Sequence, residues 1–143
     1  MTKVGEHITL DIIGTVKEYD PFIFEKVINE IAKAAKVAIL NISKYKFEPQ
    51  GFTILALLAE SHISFHTFPE KGIISFDFFT CGKISPSIAL DIIKKEFKHK
   101  RIIKKEFSRD TISLYHDIYS SSGLQKSYIF KIFKNIINNI RLL

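Results

Sequence analysis

Hydrophobic positions along this chain change period several times, and each change marks an element. His7 to Ile13 (H-I-T-L-D-I-I) alternates as a strand does, and Gly14 closes it. Asp20-Pro21 sets a capping side chain before a proline at the first helical position. Behind it Phe22, Phe24, Val27, Ile28, Ile31 and Ala35 recur at helical spacing, which predicts an amphipathic helix over Pro21–Lys36. Val37–Ser43 is a short β-branched run and reads as a strand.

The next stretch is denser. Phe52–Ala59 (F-T-I-L-A-L-L-A) suits either a helix or a buried strand; Gly51 ahead and the alternating Ile63 and Phe65 behind favour strand. Pro69-Glu70-Lys71-Gly72 reads as a turn, making a hairpin of the segment around Ile63–Phe68 and a strand over Ile73–Thr80. Ser85-Pro86 opens a second helix, with Ile88, Ala89, Ile92, Ile93 and Phe97 inward. Lys94, Lys95, Lys98 and Lys100 gather at its C-terminal end, where cations oppose the helix dipole favourably. Arg101–Phe107 and Thr111–Leu114 are β-like. The order β-α-β-β-β-α-β predicts an α+β two-layer sandwich, a mainly antiparallel sheet with helices on one face.

Residues 1–116 form the expected domain, and residues 117–143 a linker with an appended C-terminal amphipathic helix. Ser120-Ser121-Ser122-Gly123 is the linker, and Ser122 and Gln125 fit a capping box. Ile129, Phe130, Ile132, Phe133, Ile136, Ile137 and Ile140 share one helical side. That side is expected to dock on its own domain or on a second subunit; a membrane-surface helix is the alternative, because the opposite face is basic.

Composition narrows the function classes. One cysteine, Cys81, leaves no internal disulfide and no zinc site built on paired cysteines. Glu6, His7 and Asp11 interrupt the place where a signal peptide needs an apolar stretch, and no run reaches the roughly 18–20 residues that cross a bilayer. A cytoplasmic protein is expected. The net charge of +6 belongs to a lysine-rich composition spread along much of the chain, although it peaks at Lys94–Lys105. Nucleic acid is not an expected partner, nor is a membrane.

Candidate chemistry gathers between Glu60 and Cys81, where histidines, glutamates, serines, a threonine and the cysteine lie among apolar strands. Polar groups in such surroundings cost about 1–3 kcal/mol each when unsatisfied, so the cluster is either a hydrogen-bond network or a site. His62 and His66 would share a helix face, but on a strand they stand roughly 13 Å apart, too far for one metal. A third ligand, a Gly-x-Ser-x-Gly elbow and a glycine-rich phosphate loop are all absent. No metal is expected.

Leu57-Leu58-Ala59-Glu60-Ser61-His62-Ile63-Ser64-Phe65-His66-Thr67-Phe68-Pro69-Glu70, followed by Phe79-Thr80-Cys81-Gly82, resembles the signature of the prokaryotic S-adenosylmethionine decarboxylase proenzymes. Gly5-x-His7 fits as well, and the resemblance covers about residues 4 to 115. It implies a pyruvoyl-dependent decarboxylase that cleaves itself between Glu60 and Ser61 into residues 1–60 and 61–143. The Ser61 hydroxyl attacks the Glu60 carbonyl, the resulting ester eliminates, and the dehydroalanine left behind hydrolyses to a pyruvoyl group. That group holds the substrate amine as a Schiff base and serves as the electron sink, the task pyridoxal phosphate performs elsewhere.

The same resemblance implies the roles of other residues. His66 accepts the α-proton during processing, Thr53 supports the acyl shift, and Cys81 is the proton donor to the substrate carbon. Phe47 and Phe68 are substrate-binding, Phe47 by stacking on adenine, and Glu70 binds the ribose hydroxyls. Phe68 stands where the family usually has Trp, and Thr53 where it usually has Ser; neither change removes a catalytic group. The implied product is the aminopropyl donor for spermidine synthesis, and the implied assembly is a homodimer of processed subunit pairs with sites near the interface. Two alternatives stand beside this: the same pyruvoyl chemistry on ornithine or arginine, and an unprocessed, non-catalytic regulatory or binding homologue.

Overall fold

Asp20 caps the first helix as expected, its carboxylate accepting the Phe22 N–H at 3.0 Å, with Pro21 at the first helical position. The structure is a computed structural model and describes residues 3–15 and 19–110. Its elements run β1 (Lys3–Ile13), α1 (Pro21–Ala35), β2 (Ile39–Lys46), β3 (Phe52–Leu58), β4 (Ser61–Phe68), β5 (Ile73–Thr80), α2 (Ile88–Glu96) and β6 (Arg101–Asp110). The strands form one sheet in the order β2-β3-β4-β5-β1-β6. The fold is α+β with an antiparallel sheet, as expected. The strand expected at Thr111–Leu114 and the C-terminal helix lie outside the described residues.

Four strands separate the helices where the pattern predicts three. The apolar run from Phe52 to Phe68 folds as a hairpin, Leu58 opposite Ser61, with only Ala59 and Glu60 in the turn. Two-residue hairpins favour glycine or asparagine, and neither occurs at this turn, so no punctuation announces it. The turn at Pro69–Gly72 is better signposted. There Gly72 takes a φ of +60° and its N–H donates to the Pro69 carbonyl at 3.2 Å. Helix α2 begins at Ile88, later than Ser85-Pro86 predicts; Ser85 to Ser87 form a turn whose carbonyls accept the N–H groups of Ile88, Ala89 and Leu90. Phe22, expected inward, is 74% exposed, since it follows the proline at the outer edge of the first turn.

Alternation sorts the two faces of the sheet. Ile8, Leu10 and Ile12 of β1, Ile54, Ala56 and Leu58 of β3, Ile63 and Phe65 of β4, and Ile74, Phe76 and Phe78 of β5 are buried in one cluster with both helices. Phe24 is its hub, with ring centroids 4.6 Å from Phe52, 5.2 Å from Phe65 and 5.1 Å from Phe97. Each buried phenylalanine contributes about 1.5–3 kcal/mol over an exposed one. Lys26 bridges α1 to Glu96 of α2 at 2.8 Å, and Lys44 ties β2 to Glu25 of α1 at 2.6 Å.

The other face carries the opposite set of residues. Thr53, Leu55 and Leu57 of β3, His62, Ser64 and His66 of β4, Ser75, Asp77 and Phe79 of β5, and His7, Thr9 and Asp11 of β1 alternate with the buried positions. No helix among the described residues covers this face, and none is long and apolar enough to cross a membrane.

Candidate active site

The Glu60–Ser61 bond lies at the turn of the β3–β4 hairpin, where the register brings Ser61 opposite both Leu58 and Thr80. Ser61 Oγ is buried and has no hydrogen-bond partner. The Glu60 carbonyl, by contrast, accepts the backbone N–H of Cys81 at 3.1 Å. Thr80, only 2% exposed, accepts the Gly82 N–H on its hydroxyl at 2.9 Å, which closes a tight turn around Cys81. Gly5 of β1 packs against this turn so closely that a Cβ there would meet the Thr80 carbonyl at 2.7 Å. The Cys81 thiol is free and exposed.

Thr53 and His66 face each other across β3 and β4 and share a hydrogen bond of 2.7 Å between Oγ1 and Nδ1. His66 is opposite Ser75 on β5, whose hydroxyl donates to Asp11 of β1 at 2.8 Å. These four residues form one row across the open face. His66 is five positions after Ser61 on β4, about 16 Å along a strand, and an odd spacing places them on opposite faces. Within one chain the pair and the serine are therefore apart.

Phe47, Phe68 and Glu70 lie at the far end again. Phe68 is seven positions after Ser61, about 23 Å along the strand. Phe47 is 47% exposed and meets the Tyr45 ring edge-on at 5.0 Å; Phe68 is 36% exposed beneath the Lys71 ammonium. Next to them opens a cavity of about 660 Å³ whose lining includes Tyr19, Pro21, Tyr45, Gly51, Phe52 and Pro69. The three binding candidates flank this cavity without lining it, and the cavity is remote from Ser61.

A second group of polar side chains on the open face has no signature as a unit in the sequence. His7 donates from Nε2 to Asp77 at 3.2 Å and accepts from the Arg109 guanidinium on Nδ1 at 3.3 Å. Arg109 also lies 4.5 Å over the Phe79 ring, and the His62 ring is 6.3 Å from that of His7. Burial, followed by the neighbouring His7, pushes the His62 pKa below the ordinary 6.5; Arg109 adds to this and Asp77 opposes it. Gly5-x-His7 was the only local signal for this group, since Asp77 and Arg109 reach it from distant parts of the chain. Among the described residues no three His, Cys, Asp or Glu side chains are grouped to hold a metal ion.

Comparison with known proteins places these features in context. The family model for S-adenosylmethionine decarboxylase matches residues 6–110. An S-adenosylmethionine decarboxylase proenzyme of Prochlorococcus marinus (strain MIT 9313) is 40% identical over 111 residues, 76% of this chain and 89% of the relative. One from Methanococcus maripaludis (strain C7 / ATCC BAA-1331) is 35% identical over 117 residues, covering 80% and 96%. The crystal structure of the adenosylmethionine decarboxylase from Aquifex aeolicus VF5 superposes with a TM-score of 0.67 at 33% identity, over 76% of this chain and 92% of that one.

Proposed function

This chain belongs to the S-adenosylmethionine decarboxylase family, and on that premise we propose that it cuts itself between Glu60 and Ser61 and then decarboxylates S-adenosylmethionine. The observation that carries the proposal is the Ser61 hydroxyl. A buried hydroxyl without a partner costs about 1–3 kcal/mol. Among the described residues Ser61 Oγ is the one buried side-chain N or O atom left in that condition, and it belongs to the residue that follows the scissile carbonyl. A nucleophile with no hydrogen bond to break is suited to intramolecular attack.

Ser61 is also the residue that fits a pyruvoyl group, because the group replaces its own backbone nitrogen and side chain and needs no pocket beyond the one Ser61 fills. A pyruvoyl carbonyl supplies the electron sink for the charge left by departing CO2. The proposal requires neither a metal nor pyridoxal phosphate. Cys81, one residue past the cross-strand partner of Ser61, holds a proton on an accessible thiol for the product carbon.

The remaining roles call for two chains. Thr53 and His66 sit on the open face, and Phe47, Phe68 and Glu70 at its far end, all too distant from Ser61 of the same chain. The open face also leaves Leu55, Leu57 and Phe107 about half exposed. Packing this face on a second copy would bury those side chains. It would also carry His66, Thr53 and the far-end residues of one chain toward the exposed Ala59–Glu60 turn of the other, where the scissile bond lies. The assembly proposed is such a homodimer, working in the cytoplasm and supplying the aminopropyl donor for spermidine synthesis.

Release of labelled CO2 from S-adenosylmethionine, measured beside ornithine and arginine, tests the substrate. Turnover of S-adenosylmethionine alone supports the proposal. Turnover of a free amino acid in its place transfers the same machinery to another substrate.

A further inference from the structure

We infer that the Thr80-Cys81-Gly82 turn is the oxyanion cradle of the self-cleavage, with the backbone N–H of Cys81 as the donor and Thr80 as the residue that positions it. This rests on the self-processing proposed above and adds a group that no side-chain comparison would single out.

The first step is an isomerisation within the chain. Ser61 Oγ forms a bond to the Glu60 carbonyl carbon as the carbonyl π pair moves onto oxygen, giving a five-membered cyclic oxyanion. Collapse of that oxyanion breaks the Glu60–Ser61 C–N bond, and the proton lost from Oγ ends on the Ser61 nitrogen. No co-reactant is consumed. The barrier lies in placing negative charge on the Glu60 oxygen, so a donor already aimed at that atom lowers it without reorganisation.

Such a donor is in place. The Cys81 N–H donates at 3.1 Å to the Glu60 carbonyl oxygen, the atom on which the negative charge develops. The contact is held from two sides. Ser61 and Thr80 are paired across β4 and β5, which fixes the spacing of the two strand ends. The Thr80 hydroxyl accepts the Gly82 N–H at 2.9 Å, which fixes both peptide planes that flank Cys81. A Cβ at residue 82 would sit 3.0 Å from that hydroxyl and 3.7 Å from the Glu60 carboxylate, so glycine keeps the turn closed beneath the scissile bond. The arrangement also accounts for a threonine that is 2% exposed and uses its hydroxyl on a neighbouring amide.

The cradle assigns Cys81 two separable parts, a backbone group for processing and a thiol for turnover. Two comparisons on the full chain test it. The first follows self-cleavage of Thr80→Val and Thr80→Ser on denaturing gels, with hydroxylamine added to the uncut chain; hydroxylamine cuts an ester but leaves an amide. The expected result is cleavage roughly tenfold slower in Thr80→Val, restored in Thr80→Ser, with the uncut Thr80→Val chain resistant to hydroxylamine.

The second comparison is independent of Thr80 and decides the matter if Thr80→Val does not fold. Cell-free translation places either alanine or lactic acid at position 81, so that the two proteins differ only in the N–H. The lactate chain should cut about 10²–10³-fold more slowly than the alanine chain. Equal rates would overturn the inference, as would slow cleavage with an uncut chain that hydroxylamine cuts between Glu60 and Ser61, since the block would then lie after ester formation; a cut between residues 80 and 81 reports only the backbone ester that lactate introduces. If the unsubstituted chain itself stays whole, the self-processing proposal fails first, and the two failures are distinguishable.

Discussion

Thr53 and His66 hold each other at 2.7 Å across two strands, while the serine they are expected to serve lies on the other face of the same sheet. The sheet is rigid at this point, paired on both sides of β4, so no side-chain rotation closes the gap. In the proposed homodimer the pair instead serves the Glu60–Ser61 bond at the exposed hairpin turn of the second chain.

Complementation between inactive chains follows from that geometry. Ser61→Ala and His66→Ala should each remain uncut alone. Mixed after co-refolding, about half of the His66→Ala chains should cut, because statistical pairing gives each mixed dimer one complete site. The Ser61→Ala chains should never cut. Gel bands distinguish the two if one carries a tag.

Loss of the threonine hydroxyl should slow processing without stopping it. Thr53→Val removes one hydrogen bond of about 1 kcal/mol, so self-cleavage should slow roughly tenfold or less, and Thr53→Ser should restore it. The rate of disappearance of the full-length band measures this.

Binding and processing should separate at the far end of the sheet. Phe47→Ala removes a stacking face worth about 0.5–1.5 kcal/mol, so KM for S-adenosylmethionine should rise roughly two- to tenfold with cleavage at Ser61 intact. Glu70→Gln should act in the same direction. Steady-state kinetics on the cut protein checks both.

The pKa of His62 is held below 6.5 in the folded protein, so the unfolded chain binds the extra proton more readily as the pH falls. Stability on this count is complete above that ordinary value and declines as the pH is lowered through it toward the depressed folded value. His62→Gln should flatten the fall of Tm between neutral and mildly acid pH; an unchanged slope would remove His62 as its cause.

Much of the fold was legible because periodicity is local. Asp20-Pro21 marks α1, and the alternation from Ile73 to Thr80 marks β5. The hairpin at Ala59-Glu60 was hidden because its turn carries no glycine, asparagine or proline. The separation of Ser61 from His66 was present in the odd spacing of the two residues, given a strand assignment. The His7–Asp77–Arg109 group was not legible, since it depends on which strands become neighbours, and β1 lies between the late strands β5 and β6. The Cys81–Glu60 contact is a backbone relation, which side-chain chemistry cannot announce.

The most direct test is the intact mass of the purified protein beside that of Ser61→Ala. The unsubstituted protein should give two chains, residues 1–60 and residues 61–143, the second lighter by one ammonia than a chain beginning with serine. Ser61→Ala should give one uncut chain. A single full-length mass from both proteins, or a second chain that begins with an ordinary serine, would contradict self-processing at Glu60–Ser61.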